Sequence, residues 1–165
     1  MSGEDSNEPS RAQAEESESP RASTEKSRIF IVDDHTMFRE GLRQLIERES
    51  DLAVCGDVAE AAEALEAIRK LKPDLVIVDI SLQGTSGIDL IKMINSQNED
   101  LPVLVVSMHD ESLYAERALR AGAMGYVMKH EPPKTYKLAI RSVLAGIPKS
   151  SVRPLRFRIL SPLSP

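Results

Sequence analysis

Five short apolar runs recur along the middle of the chain, each closed by a polar or turn residue: Ile29-Phe30-Ile31-Val32, Leu52-Ala53-Val54-Cys55, Leu75-Val76-Ile77-Val78, Val103-Leu104-Val105-Val106 and Tyr126-Val127-Met128. They are rich in β-branched residues and apolar on successive positions, which predicts strands buried on both faces. Between them the apolar period lengthens to that of a helix: Phe38, Leu42, Leu45 and Ile46 share one face, as do Ala61, Ala64, Leu65 and Ile68, then Ile88, Ile91 and Ile94. Ser112 begins a fourth helix carrying Leu113, Ala118 and Leu119. Pro132-Pro133 opens a fifth, with Tyr136, Ile140, Val143 and Leu144 inward.

This alternation predicts an α/β fold of the (βα)5, flavodoxin-like kind. Its five parallel strands should stand in the order 2-1-3-4-5, with helices on both faces. A site in such a sheet lies beyond the carboxyl ends of the strands, where the order reverses, so it should draw on residues just after Val32 and Val78. The 165 residues suffice for one average domain, and the lack of tryptophan puts core packing on aliphatic side chains.

The domain is expected over residues 28–146. Residues 1–27 are rich in Ser, Glu, Pro and Ala, with Met1 as the only large apolar side chain, and predict a disordered acidic tail. Residues 147–165 hold four basic residues, no acid and four prolines, and predict an irregular basic tail. No apolar stretch suits a membrane span and the start is unlike a signal peptide, so a cytoplasmic protein without membrane contact is expected. The lone Cys55 reads as a small core residue. A net charge of -5 argues against a nucleic-acid surface covering the whole protein.

Asp33 and Asp34 directly follow the first strand and Asp79 the third, so three carboxylates meet at the predicted crevice. Their repulsion requires a counter-ion, and hard oxygens with few other ligands suit Mg2+. Ser107 ends the fourth strand, where its hydroxyl can donate to a phosphoryl oxygen. Lys129 ends the fifth, where its ammonium can pair with a carboxylate or an added phosphate. A nucleophile, a metal and fixed positive charge are the parts that phosphoryl transfer needs.

The stretches Val32-Asp33-Asp34-His35, Leu75 through Asp79 with Gly87 eight residues on, Val105-Val106-Ser107 and Gly125-Tyr126-Val127-Met128-Lys129 together resemble the receiver domain of bacterial response regulators. Phe38-Arg39-Glu40-Gly41-Leu42 and Ala121-Gly122-Ala123 resemble its NarL/FixJ branch, in which a LuxR-type helix-turn-helix normally follows. The resemblance implies that Asp79 accepts a phosphoryl group from a histidine kinase or phosphotransfer protein. It makes Asp34 a direct Mg2+ ligand, Asp33 a ligand mainly through water, and the main-chain carbonyl of Ser81 a further ligand beside Asp79. Ser107 and Lys129 would contact the phosphoryl group, and Tyr126 would change rotamer with Ser107 as the switch. The chain would then be no enzyme beyond its own phosphorylation and dephosphorylation, and would control a downstream protein, as a homodimer or otherwise.

Three positions depart from the family pattern. Gln83 replaces a proline and should loosen the loop after Asp79, His130 replaces the proline after Lys129, and the bulk of Met108 should restrict access to Asp79. His35, His109 and His130 fit no zinc spacing and are not expected to be ligands; Ser81 and His109 are expected to govern phosphoryl lifetime. Residues 147–165 contain no counterpart of the helix-turn-helix, which leaves a truncated transcriptional regulator and a stand-alone receiver as alternatives. Lys149, Arg153, Arg156 and Arg158 alone would give only weak, salt-sensitive DNA contact rather than specific binding. An aspartate-nucleophile phosphohydrolase, whose acids stand as Asp-x-Asp after strand one, fits the adjacent Asp33-Asp34 less well. A nucleotide- or flavin-binding module would need a phosphate loop that is missing after the first strand.

Overall fold

Each strand of the sheet serves two cores, because alternate residues point to opposite faces. In a computed structural model, residues 25–108 and 112–146 are described; the tail expectations for residues 1–24 and 147–165, and the role expected of His109, lie outside them. The elements run β1 (Ser27–Val32), α1 (Thr36–Glu47), β2 (Leu52–Val58), α2 (Ala61–Leu71), β3 (Leu75–Asp79), α3 (Gly87–Gln97), β4 (Val103–Ser107), α4 (Ser112–Ala121), β5 (Gly125–Met128) and α5 (Pro133–Ala145). The strands pair in parallel in the order β2-β1-β3-β4-β5.

Ile29, Ile31, Leu75, Ile77, Leu104, Val106 and Val127 pack with Leu42 and Ile46 of α1 and with Tyr136, Ile140 and Val143 of α5. Phe30, Val32, Val76, Val78, Val103, Val105 and Tyr126 pack on the other side with α2, α3 and α4. Unbroken apolar runs are the signature of this arrangement, since neither face of the central strands meets water. No helix among the described residues is long and apolar enough to cross a membrane.

Three details differ from the sequence reading. Ser27 already belongs to β1, where it pairs with Leu52 and its amide donates to the Asp51 carbonyl at 2.9 Å. β2 extends through Val58 and is only partly buried after Leu52, because it is an edge strand. Its Cys55 is accordingly half-covered, with Sγ donating to the Ile29 carbonyl, and burial pushes the thiol up from its ordinary value. In α4 the inner face is made by Ala115, Ala118 and Ala121, while Leu113 is 58% exposed. Residues three apart share a helix face, and this alanine stripe lets α4 pack closely on the sheet.

The loop from β3 to α3 carries its own anchors although Gln83 stands in it. Ile80 and Leu82 are buried, the Gly87 amide donates to the Ile80 carbonyl at 3.2 Å, and Ser86 caps α3 by accepting from the Asp89 amide at 3.2 Å. A Cβ at Gly87 would overlap the Asp79 carbonyl oxygen and come within 2.7 Å of Ile80 Cα. Backbone cannot move aside there as a side chain can. Gly87→Ala is therefore expected to destabilise the fold by about 1–3 kcal/mol, read from urea unfolding, despite alanine's better helix propensity.

Candidate functional site

Asp33 and Asp34 leave β1 at the point where the strand order reverses, and Asp79 is the last residue of β3. Asp33 and Asp79 are fully buried, and the Asp34 side chain retains 18% of its exposure. The Asp33 amide donates to the Val58 carbonyl at 3.1 Å, and the Ile80 amide to the Val106 carbonyl at 3.2 Å, so the sheet's own ladder fixes both carboxylates. Arg39 of α1 adds a tie: Nη1 donates to the Asp33 carbonyl at 2.6 Å while Nε pairs with Asp57 Oδ1 at 2.9 Å.

Lys129, directly after β5, reaches back across the sheet. Its Nζ lies 2.9 Å from Asp33 Oδ2, 3.1 Å from Asp79 Oδ2 and 2.9 Å from His35 Nδ1, and 4.6 Å from the centroid of the Phe38 ring. With 4% of its side chain exposed, this lysine is a buried counter-charge rather than the solvated residue that a strand-end lysine usually is. Its strand end is held twice: the Lys129 amide donates to the Ser107 carbonyl at 2.7 Å, and the Tyr136 hydroxyl to the Met128 carbonyl at 2.7 Å.

One ammonium does not satisfy three carboxylates. The Ser81 amide donates to Asp79 Oδ1 at 3.0 Å and the His35 amide to Asp33 Oδ1 at 2.8 Å. Asp33 Oδ2 meets Lys129 only as an ion pair, outside hydrogen-bond geometry, and the buried Asp34 Oδ1 has no donor. Burial holds the Asp33 carboxyl above its ordinary value; Lys129 and the His35 amide pull it back, and the Asp79 charge adds to the rise. Ligand atoms of Asp33, Asp34, His35 and Asp79 all lie within 4.8 Å of one another. Buried carboxylate oxygens lacking donors, grouped at this spacing, fit a divalent cation with a preference for oxygen, as Mg2+ has.

The expected residues are thus distributed as follows. Asp33, Asp34, Asp79 and Lys129 converge on one point. Ser107 is fully buried at the same rim, as the last residue of β4. Ser81 joins through its amide. Tyr126 stands apart from the acids: it is buried opposite Val105, in the layer that contains α4. Met108, expected to crowd Asp79, is 64% exposed. What sequence reasoning missed is His35, whose Nδ1 enters the acidic cluster, and Arg39, which braces it. The signal in the sequence is its adjacency to Asp33-Asp34.

Because burial and like charge both oppose ionisation of Asp33, Asp33→Asn keeps the acceptor for the His35 amide and removes the repulsion. In chelator-containing buffer this variant is expected to be more stable than the wild type, by on the order of 1 kcal/mol in chemical denaturation. A destabilised variant would mean that the Lys129 pairing outweighs the repulsion.

Residues 29–141 match the response regulator receiver domain. Over 121 residues the chain is 31% identical to transcriptional regulatory protein DegU of Brevibacillus brevis, covering 73% of this chain and 51% of that protein. It is 32% identical over 120 residues to oxygen regulatory protein NreC of Staphylococcus haemolyticus, covering 72% and 55%. The chain thus spans about half the length of these relatives. Among solved structures it is similar to a two-component response regulator of the LuxR family from Aurantimonas sp. SI85-9A1, with a TM-score of 0.71, 40% identity, and coverage of 73% of this chain and 86% of that one. With the 2-1-3-4-5 sheet and the acids at its reversal point, these matches favour the receiver over the phosphohydrolase and nucleotide-binding alternatives: the chain belongs to the response regulator receiver domain family of two-component signalling, with relatives of the NarL and LuxR type.

Proposed function

We propose that Asp79 is the phosphoacceptor of this receiver and that the cluster around it is a Mg2+ site. The observation that carries the reading is the grouping of Asp33, Asp34 and Asp79, the first and last paired with Lys129, with Asp33 Oδ2 and Asp34 Oδ1 buried and outside any hydrogen bond. Asp34 and Asp79 would hold the ion directly, Asp33 mainly through water, and the Ser81 carbonyl would complete the protein ligands. When bound, Mg2+ supplies positive charge to the phosphoryl oxygens.

A carboxylate oxygen of Asp79 attacks the phosphorus of a phosphohistidine on a histidine kinase or phosphotransfer protein. The Asp79 O–P bond forms, the P–N bond breaks, and the electron pair returns to the donor imidazole. Lys129, already 3.1 Å from Asp79 Oδ2, transfers its pairing to a phosphoryl oxygen, and the Ser107 hydroxyl donates to another. Self-catalysed hydrolysis resets the site. The new dianion draws Ser107 inward and Tyr126 follows, which alters the surface around α4 and β5. Tyr126 shares its buried layer with Ala115, Ala118 and Ala121 of α4, so a rotamer change there would be felt at that surface.

The chain is assigned the input part of a cytoplasmic regulator. Its output would run through a downstream protein or a second copy of itself, and the four basic residues at 147–165 by themselves carry too little charge for specific DNA binding. Incubation with acetyl phosphate and Mg2+, followed by intact-mass measurement, tests the chemistry. One phosphoryl adduct is expected on the native chain and none on Asp79→Asn; no adduct where a control receiver reacts would overturn the assignment.

A further inference from the structure

The imidazole of His35 stands where a ligand would, not where a bystander would. Nδ1 lies 3.3 Å from Asp33 Oδ1, 3.2 Å from Asp34 Oδ1 and 3.5 Å from Asp79 Oδ2. Donors that share one ion at about 2.1–2.4 Å and at right angles stand about 3.0–3.4 Å apart, so the nitrogen has nearly the spacing of one more member of the shell.

Lys129 Nζ is 2.9 Å from the same Nδ1. An ammonium has donors and no acceptor, so the Lys129 contact is met by the tautomer with the ring proton on Nε2, whereas the 3.3 Å contact with Asp33 Oδ1 is a hydrogen bond only in the tautomer protonated on Nδ1. In the first tautomer the lone pair of Nδ1 points at a cation already, in company with Asp33 Oδ2 and Asp79 Oδ2, which approach the same ammonium. A lone pair set among carboxylate oxygens is repulsive unless positive charge lies between them. The backbone holds the ring near this place: His35 is the N-cap of α1 and its amide is bound to Asp33 Oδ1.

We propose that His35 Nδ1 is a nitrogen ligand of the divalent cation in this site, which shifts the preference of the receiver from Mg2+ toward a borderline transition ion such as Mn2+. The proposal rests on the cation-site reading above and adds a donor to it. Imidazole suits transition ions, whereas Mg2+ favours oxygen and gives up water reluctantly, so the nitrogen strengthens binding of the first class and does little for the second.

The test uses the full chain, free of any histidine tag, with Mn2+ and Mg2+ as probes. Pulsed EPR of the Mn2+ complex is expected to show coupling to an imidazole 14N that disappears in His35→Ala and in His35→Gln. Calorimetric titration of the same proteins should show Mn2+ binding weakened about tenfold by His35→Ala and Mg2+ binding by less than about threefold, in line with the ligand preferences of the two ions. Binding of both ions without 14N coupling, or an equal loss for Mn2+ and Mg2+ in the variants, would overturn the role of His35 and leave the carboxylate site intact. If the wild type binds neither ion and takes no phosphoryl group from acetyl phosphate, the cation-site reading falls, and this proposal with it.

Discussion

Three carboxylates at one end of a sheet repel one another, and the surroundings of that rim contain the repulsion. Asp33 and Asp79 have no exposed surface, so water cannot screen them. The nearest compensating charge is Lys129, delivered from the far side of the sheet and itself almost completely covered. A buried charge triad of this kind adds little stability, because desolvation offsets the attraction. On the proposed reading its value is responsiveness: a cation or a phosphoryl group entering the cluster would change the pairings in it.

The two cores make that responsiveness directional. On one face α1 and α5 secure the acids and the lysine, through Arg39 on the Asp33 carbonyl and Tyr136 on the Met128 carbonyl. On the other face, Tyr126 packs in the layer that also holds α4, whose inner side is alanine. Small side chains make a close but shallow contact, with less apolar surface to hold it than the isoleucine-lined face of α3. A helix seated on alanines beside a buried tyrosine is a natural place for a change at the acidic rim to reach the surface.

The differences between sequence reading and structure have separable causes. β2 pairs with β1 from Leu52 to Val58, stepping over Cys55 at a register shift, yet is half-covered, because position at the edge of a sheet is a property of strand order rather than of the strand's own residues. Leu113 is outward and Ala115 inward because helix phase is settled by what the sheet offers, and a short segment with few apolar residues leaves its phase open. The place of His35 is not legible from sequence spacing, because the cap of α1 turns its ring back among the carboxylates of its own neighbours.

The alternation of strands and helices, the parallel sheet, its reversal point and the three acids that follow Val32 and Val78 are legible in the residues alone. These are consequences of local period and of chain connectivity, both of which are written residue by residue. Lys129 and Ser107 are legible there too, since each ends an apolar run. How these groups meet emerges only from the packed chain: Lys129 bridges Asp33 and Asp79 instead of facing solvent, Arg39 braces the Asp33 loop, and His35 brings a ring nitrogen among the carboxylates. Side-chain direction at the ends of four different elements depends on twist, helix seating and mutual charge, and those are fixed only when all the elements are packed together.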